Sequence, residues 1–177
     1  MPPFQNPPAL QGVHIGLIPL VSTDFDVLFT LASDPLVWQQ HPNPNRYKRE
    51  EFEKFFAGAL ASQGAYKVVE SATGAVIGCS RFYDYQPERC CVNIGYTFYG
   101  SAYWGSGYNP QAKALMLDYA FQFVATVEFH VGAGNKRSQI AMERLGAVKV
   151  AERPVTYHGE LESLNFIYQL HTAVAKG

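Results

Sequence analysis

Charged side chains are scarce in this 177-residue sequence: Asp, Glu, Lys and Arg make up 16%, against about 25% in an average domain. The shortage is even-handed, since 14 basic and 15 acidic residues leave a net charge of −1. Wrapping a nucleic-acid backbone or gripping an anionic membrane needs a surplus of Lys and Arg, so both partners are argued against. Cysteine is also sparse. Cys79, Cys90 and Cys91 form no C-x-x-C pair, which argues against a metal knuckle and points to buried thiols in a reducing compartment. No long apolar run is present either: the uncharged stretch from Cys90 to Ala112 is rich in Gly, Asn, Ser and Tyr, and fails as a membrane span. The opening residues lack a basic segment and are broken by proline, unlike a signal peptide. A cytoplasmic protein with no metal site is the expectation.

Aromatic residues fill the gap left by charge, with 12 Phe, 11 Tyr and 2 Trp. At this length a chain buries roughly 70% of its unfolded surface and needs no disulfide or metal staple. One domain over residues 12–172 is expected, after a loose Pro-rich leader at 1–11.

The element order reads β-α-α-β-β-β-α-β-α-β-β. Val13–Leu20 is a strand, and Ser22 or Thr23 caps a helix that Ser33-Asp34-Pro35 stops. Glu50–Ser62 is amphipathic, with Phe52, Phe55, Phe56, Ala59 and Leu60 on one side. Tyr66–Ser71 and Ala75–Tyr83 flank a Gly74 hairpin turn, and Arg89–Tyr99 is a β-rich strand. Asn109 and Pro110 read as the cap and first residue of a helix running to Phe123. Thr126–Val131 turns Val127, Phe129 and Val131 inward and Glu128 and His130 outward; His14 likewise points outward. Lys136–Leu145 is a helix stopped by Gly146, and Ala147–Ala151 and Ser163–Leu170 close the sheet. The fold class is therefore α/β or α+β, a mixed sheet with one parallel crossover between the Arg89 and Thr126 strands. Exposed strand edges, common in such sheets, are compatible with a homodimer.

The sharpest local signal is Tyr103-Trp104-Gly105-Ser106-Gly107-Tyr108-Asn109-Pro110, between a strand and a helix. Two glycines let the backbone approach a ligand, and free N–H groups at a helix start attract a pyrophosphate. The same turn also serves as a plain strand-to-helix connection. A dinucleotide fingerprint is disfavoured, because Pro110 holds the third glycine position and an antiparallel hairpin precedes the motif. No Gly-Lys-Ser/Thr follows, which excludes a P-loop. Ser138, Ala141, Met142 and Leu145 share one helix face. The Ser138 hydroxyl on this apolar stripe either bonds back to its own helix or meets a ligand.

The segments IGYTFYGSAYWGSGYNPQAKALMLDYAF and VEFHVGAGNKRSQIAMERLGA, with GVHIGLIPL and ASDPLVW upstream, resemble the GNAT superfamily of acyl-CoA-dependent N-acetyltransferases. More narrowly they resemble the branch that includes the ribosomal-protein N-terminal acetyltransferases. The resemblance runs from Gly12 to about Leu170. It implies a GNAT-like sheet, mostly antiparallel with one splayed parallel pair, and acetyl-CoA as co-substrate. Backbone groups near Phe98 and Tyr99 would pair with the pantetheine arm, and N–H groups of Trp104, Gly105, Ser106, Gly107, Tyr108 and Asn109 would hold the pyrophosphate. Asn135 would touch the pantetheine end and Arg137 a phosphate. Ser138 would protonate the departing thiolate, and an acceptor wall would form from Trp38, His41, Tyr83 and Tyr96, with Tyr85 near it.

Three departures from the branch pattern stand out. Asn93 replaces a Glu before I-G-Y, Tyr157 stands where the ribosomal-protein enzymes carry Glu, and Ala102 replaces a Gln or Arg. The base is thus open among Tyr157, His158, Glu160 and Asp84. The expected activity is acetyl transfer to a primary amine: a peptide N-terminus, an amino acid or a small amine. The alternatives are a non-catalytic acyl-CoA-binding module and a partner-binding structural domain.

Overall fold

A computed structural model describes residues 2–156 and 161–172. Eight strands form one sheet in the order β1-β2-β3-β4-β5-β6-β8-β7. They are β1 (Leu10–Gln11), β2 (Ile15–Pro19), β3 (Ala65–Glu70), β4 (Val76–Gln86), β5 (Cys91–Tyr99), β6 (Thr126–Gly132), β7 (Val148–Val155) and β8 (Ser163–His171). The helices are α1 (Phe25–Ala32), α2 (Pro35–Trp38), α3 (Arg49–Ser62), α4 (Tyr108–Ala120) and α5 (Lys136–Leu145). All neighbouring strands run antiparallel except β5 and β6, which meet in parallel only where Cys91–Asn93 face Thr126–Glu128.

Each sheet face buries its own core. On one face lie Ile15, Leu17, Ile77, Val92, Ile94 and Val127 with Ala112, Met116 and Ala120 of α4. On the other, the i, i+3, i+4, i+7 stripe Phe52, Phe55, Phe56 and Ala59 of α3 packs with Trp38, Cys79 and Phe98. Trp38 is completely buried, and its indole Nε1–H donates to Ala32 O at 2.7 Å.

The parallel crossover falls where the sequence places it, and the differences lie elsewhere. The leader read as loose is anchored at Pro3, whose carbonyl accepts from the Tyr119 hydroxyl at 2.7 Å, and at Phe4. Phe4 is 4% exposed, with ring centroids 4.9 Å from Phe82 and 5.0 Å from Tyr85, and Leu10–Gln11 pairs with β2. An aromatic residue among prolines is enough to anchor the segment. Asp34 both ends α1 and starts α2, its Oδ1 accepting Leu36 N at 2.9 Å. Helix α4 begins at Tyr108 rather than Pro110, because Gly107 takes the N-cap place with φ +77°. Pro110 then sits within the first turn, where a missing N–H costs nothing, and the Asn109 side chain caps no helix.

One side of the sheet differs more. Glu128 and His130 face away from the α4 side, as the alternation requires, but they are not solvated. Glu128 is 2% exposed and its carboxylate accepts from His130 Nε2, Arg153 Nη2 and Gln169 Nε2, each at 2.9 Å. Strands β8 and β7, distant in sequence, supply the last two.

Candidate active site

Strand β5 carries a bulge where the sheet opens. Arg81 pairs with Gly95 and Cys79 with Phe98, so the one residue between them on β4, Ser80, faces two of β5, Tyr96 and Thr97. Tyr96 at this point has φ +52°, an unusual conformation for a non-glycine residue. A bulge bends its strand, and beyond Asn93 strand β5 parts from β6. Tyr83 from β4 covers the parting point: a Cβ on Gly95 would stand 2.9 Å from its ring, so a side chain there would have to push the ring aside.

The resulting cleft has a volume of about 840 Å³ and lies between the ends of β5 and β6, the turn after β5 and the start of α5. Its charged walls are Arg46, Lys113, Lys136, Arg137 and Arg144, with no carboxylate among the described lining residues. Such a cleft favours an anion.

The turn from β5 to α4 is fixed at several points. Gly100 N donates to Ile77 O at 3.0 Å, and the Ser101 hydroxyl donates to Asp34 at 2.6 Å. That bond and the Leu36 N–H hold the Asp34 carboxyl below the usual range. Trp104 donates its indole N–H to Tyr99 O at 3.1 Å and its backbone N–H to Ser101 O at 3.2 Å. The Trp104 backbone N–H is therefore already spent within the turn. Gly105 and Gly107 then adopt φ of +76° and +77°. The N–H groups of Gly105, Ser106 and Gly107 meet no acceptor among the described residues, and Tyr108 and Asn109 add the orphan donors of a helix start. Successive free N–H groups beside a left-handed glycine form an anion-binding concavity.

On the far wall Asn135 caps α5, its Oδ1 accepting Ser138 N at 3.1 Å. Its oxygen is thus engaged in the helix start, whatever its amide nitrogen does. Asn135→Ala is expected to cost about 1 kcal/mol, a drop in Tm of about 2–4 °C for a chain of this size, read by thermal melting. Ser138, half-buried on the cleft, makes no side-chain hydrogen bond back to its helix among the described residues. The Arg137 guanidinium stacks 4.0 Å from the Trp104 ring, bridging the two sides of the mouth.

The side of the cleft away from α4 is aromatic. His41, Tyr83 and Tyr96 line it, with Tyr83 and Tyr96 in edge contact at 5.0 Å. Burial, then the charges of Arg46 and Arg137, push the His41 imidazole down to about 3, so it is neutral at physiological pH. Trp38 does not reach the cleft. It packs beneath, 4.9 Å from Phe98 and 5.1 Å from His41, and supports that wall from inside the core. Tyr157, with His158 and Glu160, lies outside the described residues. Asp84 has φ +51° and accepts from Gln86.

Two site features are absent from the sequence reading. Lys113 sits on the apolar stripe of α4, three residues before Met116 and four before Leu117, a placement that signals burial. His130 is on a strand position that alternation alone assigns to solvent; its place on the cleft wall follows from the splay.

Comparison with known proteins agrees with this geometry. The sequence profile of a family described as an acetyltransferase (GNAT) domain matches residues 14–148. No curated protein sequence matches the chain significantly. Among solved structures it is similar to a GCN5-related N-acetyltransferase from Brucella melitensis, with TM-score 0.79, 19% identity, and 92% of this chain and 78% of that one covered. A protein from Vibrio cholerae described as a ribosomal-protein-serine acetyltransferase gives TM-score 0.75 and 17% identity over 94% and 99%. Mycobacterium smegmatis RimJ, in complex with CoA-disulfide, gives TM-score 0.69 and 16% identity over 93% and 86%.

Proposed function

The chain belongs to the GNAT acetyltransferase family, and from that premise we propose that it moves an acetyl group from acetyl-CoA to a primary amine by direct attack in a ternary complex. The observation that carries this reading is the row of unengaged N–H groups at Gly105–Gly107, at the mouth of a cleft whose described charges are all basic. It suits a pyrophosphate, with Arg137 beside it. Phe98 and Tyr99 border the gap left in the sheet, where a pantetheine amide chain substitutes for a missing strand.

The reaction asks little of acid–base chemistry at the acceptor. An α-amino group has a pKa near 8 and is partly neutral at cellular pH. His41, Tyr83 and Tyr96 flank the incoming amine, and holding both reactants together supplies much of the rate. A backbone N–H at the end of β5 receives the developing oxyanion. The Ser138 hydroxyl points its hydrogen toward the departing sulfur. A hydrogen bond to a charged group is worth about 1.5–3 kcal/mol, so Ser138→Ala is expected to slow turnover about 10- to 100-fold with acetyl-CoA affinity little changed. An undiminished turnover number would remove Ser138 from the mechanism.

The acceptor belongs to the set of peptide N-termini, amino acids and small amines. No described helix is long and apolar enough to cross a membrane; the sparse cysteines, which suit a reducing compartment, are the ground for placing the reaction in the cytoplasm. Calorimetric titration with acetyl-CoA, followed by thiol release across an amine panel, tests the proposal. Binding with amine-dependent release supports it. Binding with no release from any amine identifies an acyl-CoA-binding module, and the absence of binding overturns both.

A further inference from the structure

Lys113 is a buried amine that the catalytic scheme above leaves unused. It stands on the second turn of α4, is 4% exposed, and lines the cleft beside the β5 bulge. Its Nζ donates to Thr97 Oγ1 at 2.7 Å and Ser80 Oγ at 3.2 Å, while those two hydroxyls bond each other at 2.8 Å.

An ammonium has three N–H donors and no acceptor. Two are satisfied here by neutral hydroxyls, and no carboxylate reaches Nζ among the described residues. The surroundings supply no counter-charge. Strand β4 brings the Cys79 thiol, which burial pushes up to about 12 and so keeps neutral. Strand β5 brings Thr97 and the buried phenol of Tyr99, pushed up by burial as well. Strand β2, which packs against α4, brings the apolar Ile15 and Leu17 to that core. A buried charge without a partner is costly, and Lys113 lines the cleft, where cleavage of a thioester creates an anion.

We propose that Lys113 is the acid for the leaving group: its third N–H meets the thioester sulfur and delivers the proton that turns the departing thiolate into CoA thiol. The inference rests on the acetyl-transfer reading. As the amine nitrogen bonds to the carbonyl carbon, the C–S bond breaks and its electron pair stays on sulfur. Sulfur takes a proton from Nζ, and the proton shed by the acceptor nitrogen returns through solvent to recharge Lys113. Ser138, whose hydroxyl ionises far too weakly to give up a proton outright, orients the sulfur by its hydrogen bond. Burial lowers the Lys113 ammonium to about 7, below an ordinary thiol near 8.5, so the transfer runs downhill.

The test is the ultraviolet titration of the thiolate of CoA bound to the whole protein, with turnover measured beside it. In the wild type Lys113 loses its proton near 7, before an ordinary thiol ionises, so the bound thiol titrates close to free CoA. Turnover is expected to fall as pH rises through that range. In Lys113→Met that fall is absent, with CoA affinity within about threefold and turnover lowered about 100-fold or more, the worth of a general acid. Lys113→Arg keeps a charge that does not dissociate, so it does not regain turnover, while its permanent cation lowers the bound thiol about one unit or more below that of Lys113→Met. A wild-type turnover with no fall through the range near 7 overturns the role of Lys113 even if the variants fail to fold, and a Lys113→Arg variant that leaves the thiol unshifted shows that this position does not face the sulfur. Failure of CoA to bind at all instead overturns the acetyl-transfer reading beneath it.

Discussion

Replacing Glu128 by alanine is expected to lower folding stability by about 3–5 kcal/mol, the range for removing one member of a buried charged network. The carboxylate is 2% exposed. It receives hydrogen bonds from His130, Arg153 and Gln169, with Arg89 Nη2 at 3.8 Å. Its loss leaves groups on β6, β7 and β8 without their common acceptor, so the three strands lose a shared fixing point. Urea unfolding gives the measurement, with the midpoint falling and the slope unchanged.

The same carboxylate has a pH signature. The hydrogen bond from His130 does most to hold it down, against burial and with help from Gln169, at about 2 compared with an ordinary 4.5. At 1.36 kcal/mol per unit the shift corresponds to about 3 kcal/mol of stability. A folded-state pKa below the unfolded one gives stability that is complete above about pH 5. It is then lost as pH falls from about 4.5 toward 2. The gap between wild type and Glu128→Gln, wide at neutral pH, therefore narrows on acidification. A gap that stayed constant down to pH 3 would show that the effect lies in shape rather than charge.

Gly107→Glu is expected to weaken acetyl-CoA binding at least about 100-fold, which is about 2.7 kcal/mol. Two effects add. Gly107 has φ +77° with nothing within 4 Å of a built Cβ, so a side chain meets no clash but carries the left-handed strain of about 1–2 kcal/mol. The larger effect is electrostatic, because the new carboxylate enters the concavity formed by the N–H groups of residues 105–107 and repels a second anion. Gly107→Lys separates the two, as it carries the same strain with opposite charge. Calorimetry should find the lysine variant within about tenfold of wild type. Equal losses in both variants would assign the effect to loop conformation and argue against a phosphate seat.

The frame of this fold is legible in its sequence because it is written in local patterns. The α3 stripe, the Gly74 and Gly146 turns and the strand–glycine–helix junction need no distant partner to be recognised. The site is legible to the extent that it is backbone: a Gly-x-Gly turn exposes N–H groups wherever it is placed. What escaped depends on contacts made far along the chain. Alternation sends Glu128 to the outer face, but Arg153 and Gln169, 25 and 41 residues later, decide that this face is closed. Trp38 looks like a pocket wall next to His41, yet α3 and Phe98 enclose it completely. Lys113 was missed although a local signal was there, since it shares the stripe of Met116 and Leu117; nothing in that pattern discloses the two hydroxyls awaiting it.

The short meeting of β5 and β6 also bears on how the protein exists in a cell. The sheet is two leaves joined along a crease only three residues long, Cys91–Asn93 against Thr126–Glu128. A long ligand lying in the gap would touch both leaves and act as mortar between them. Anything that binds only the folded form raises its stability by mass action, about 2.7 kcal/mol at a hundredfold excess over Kd. Acetyl-CoA seated in that gap would make resistance to unfolding and proteolysis rise and fall with its supply.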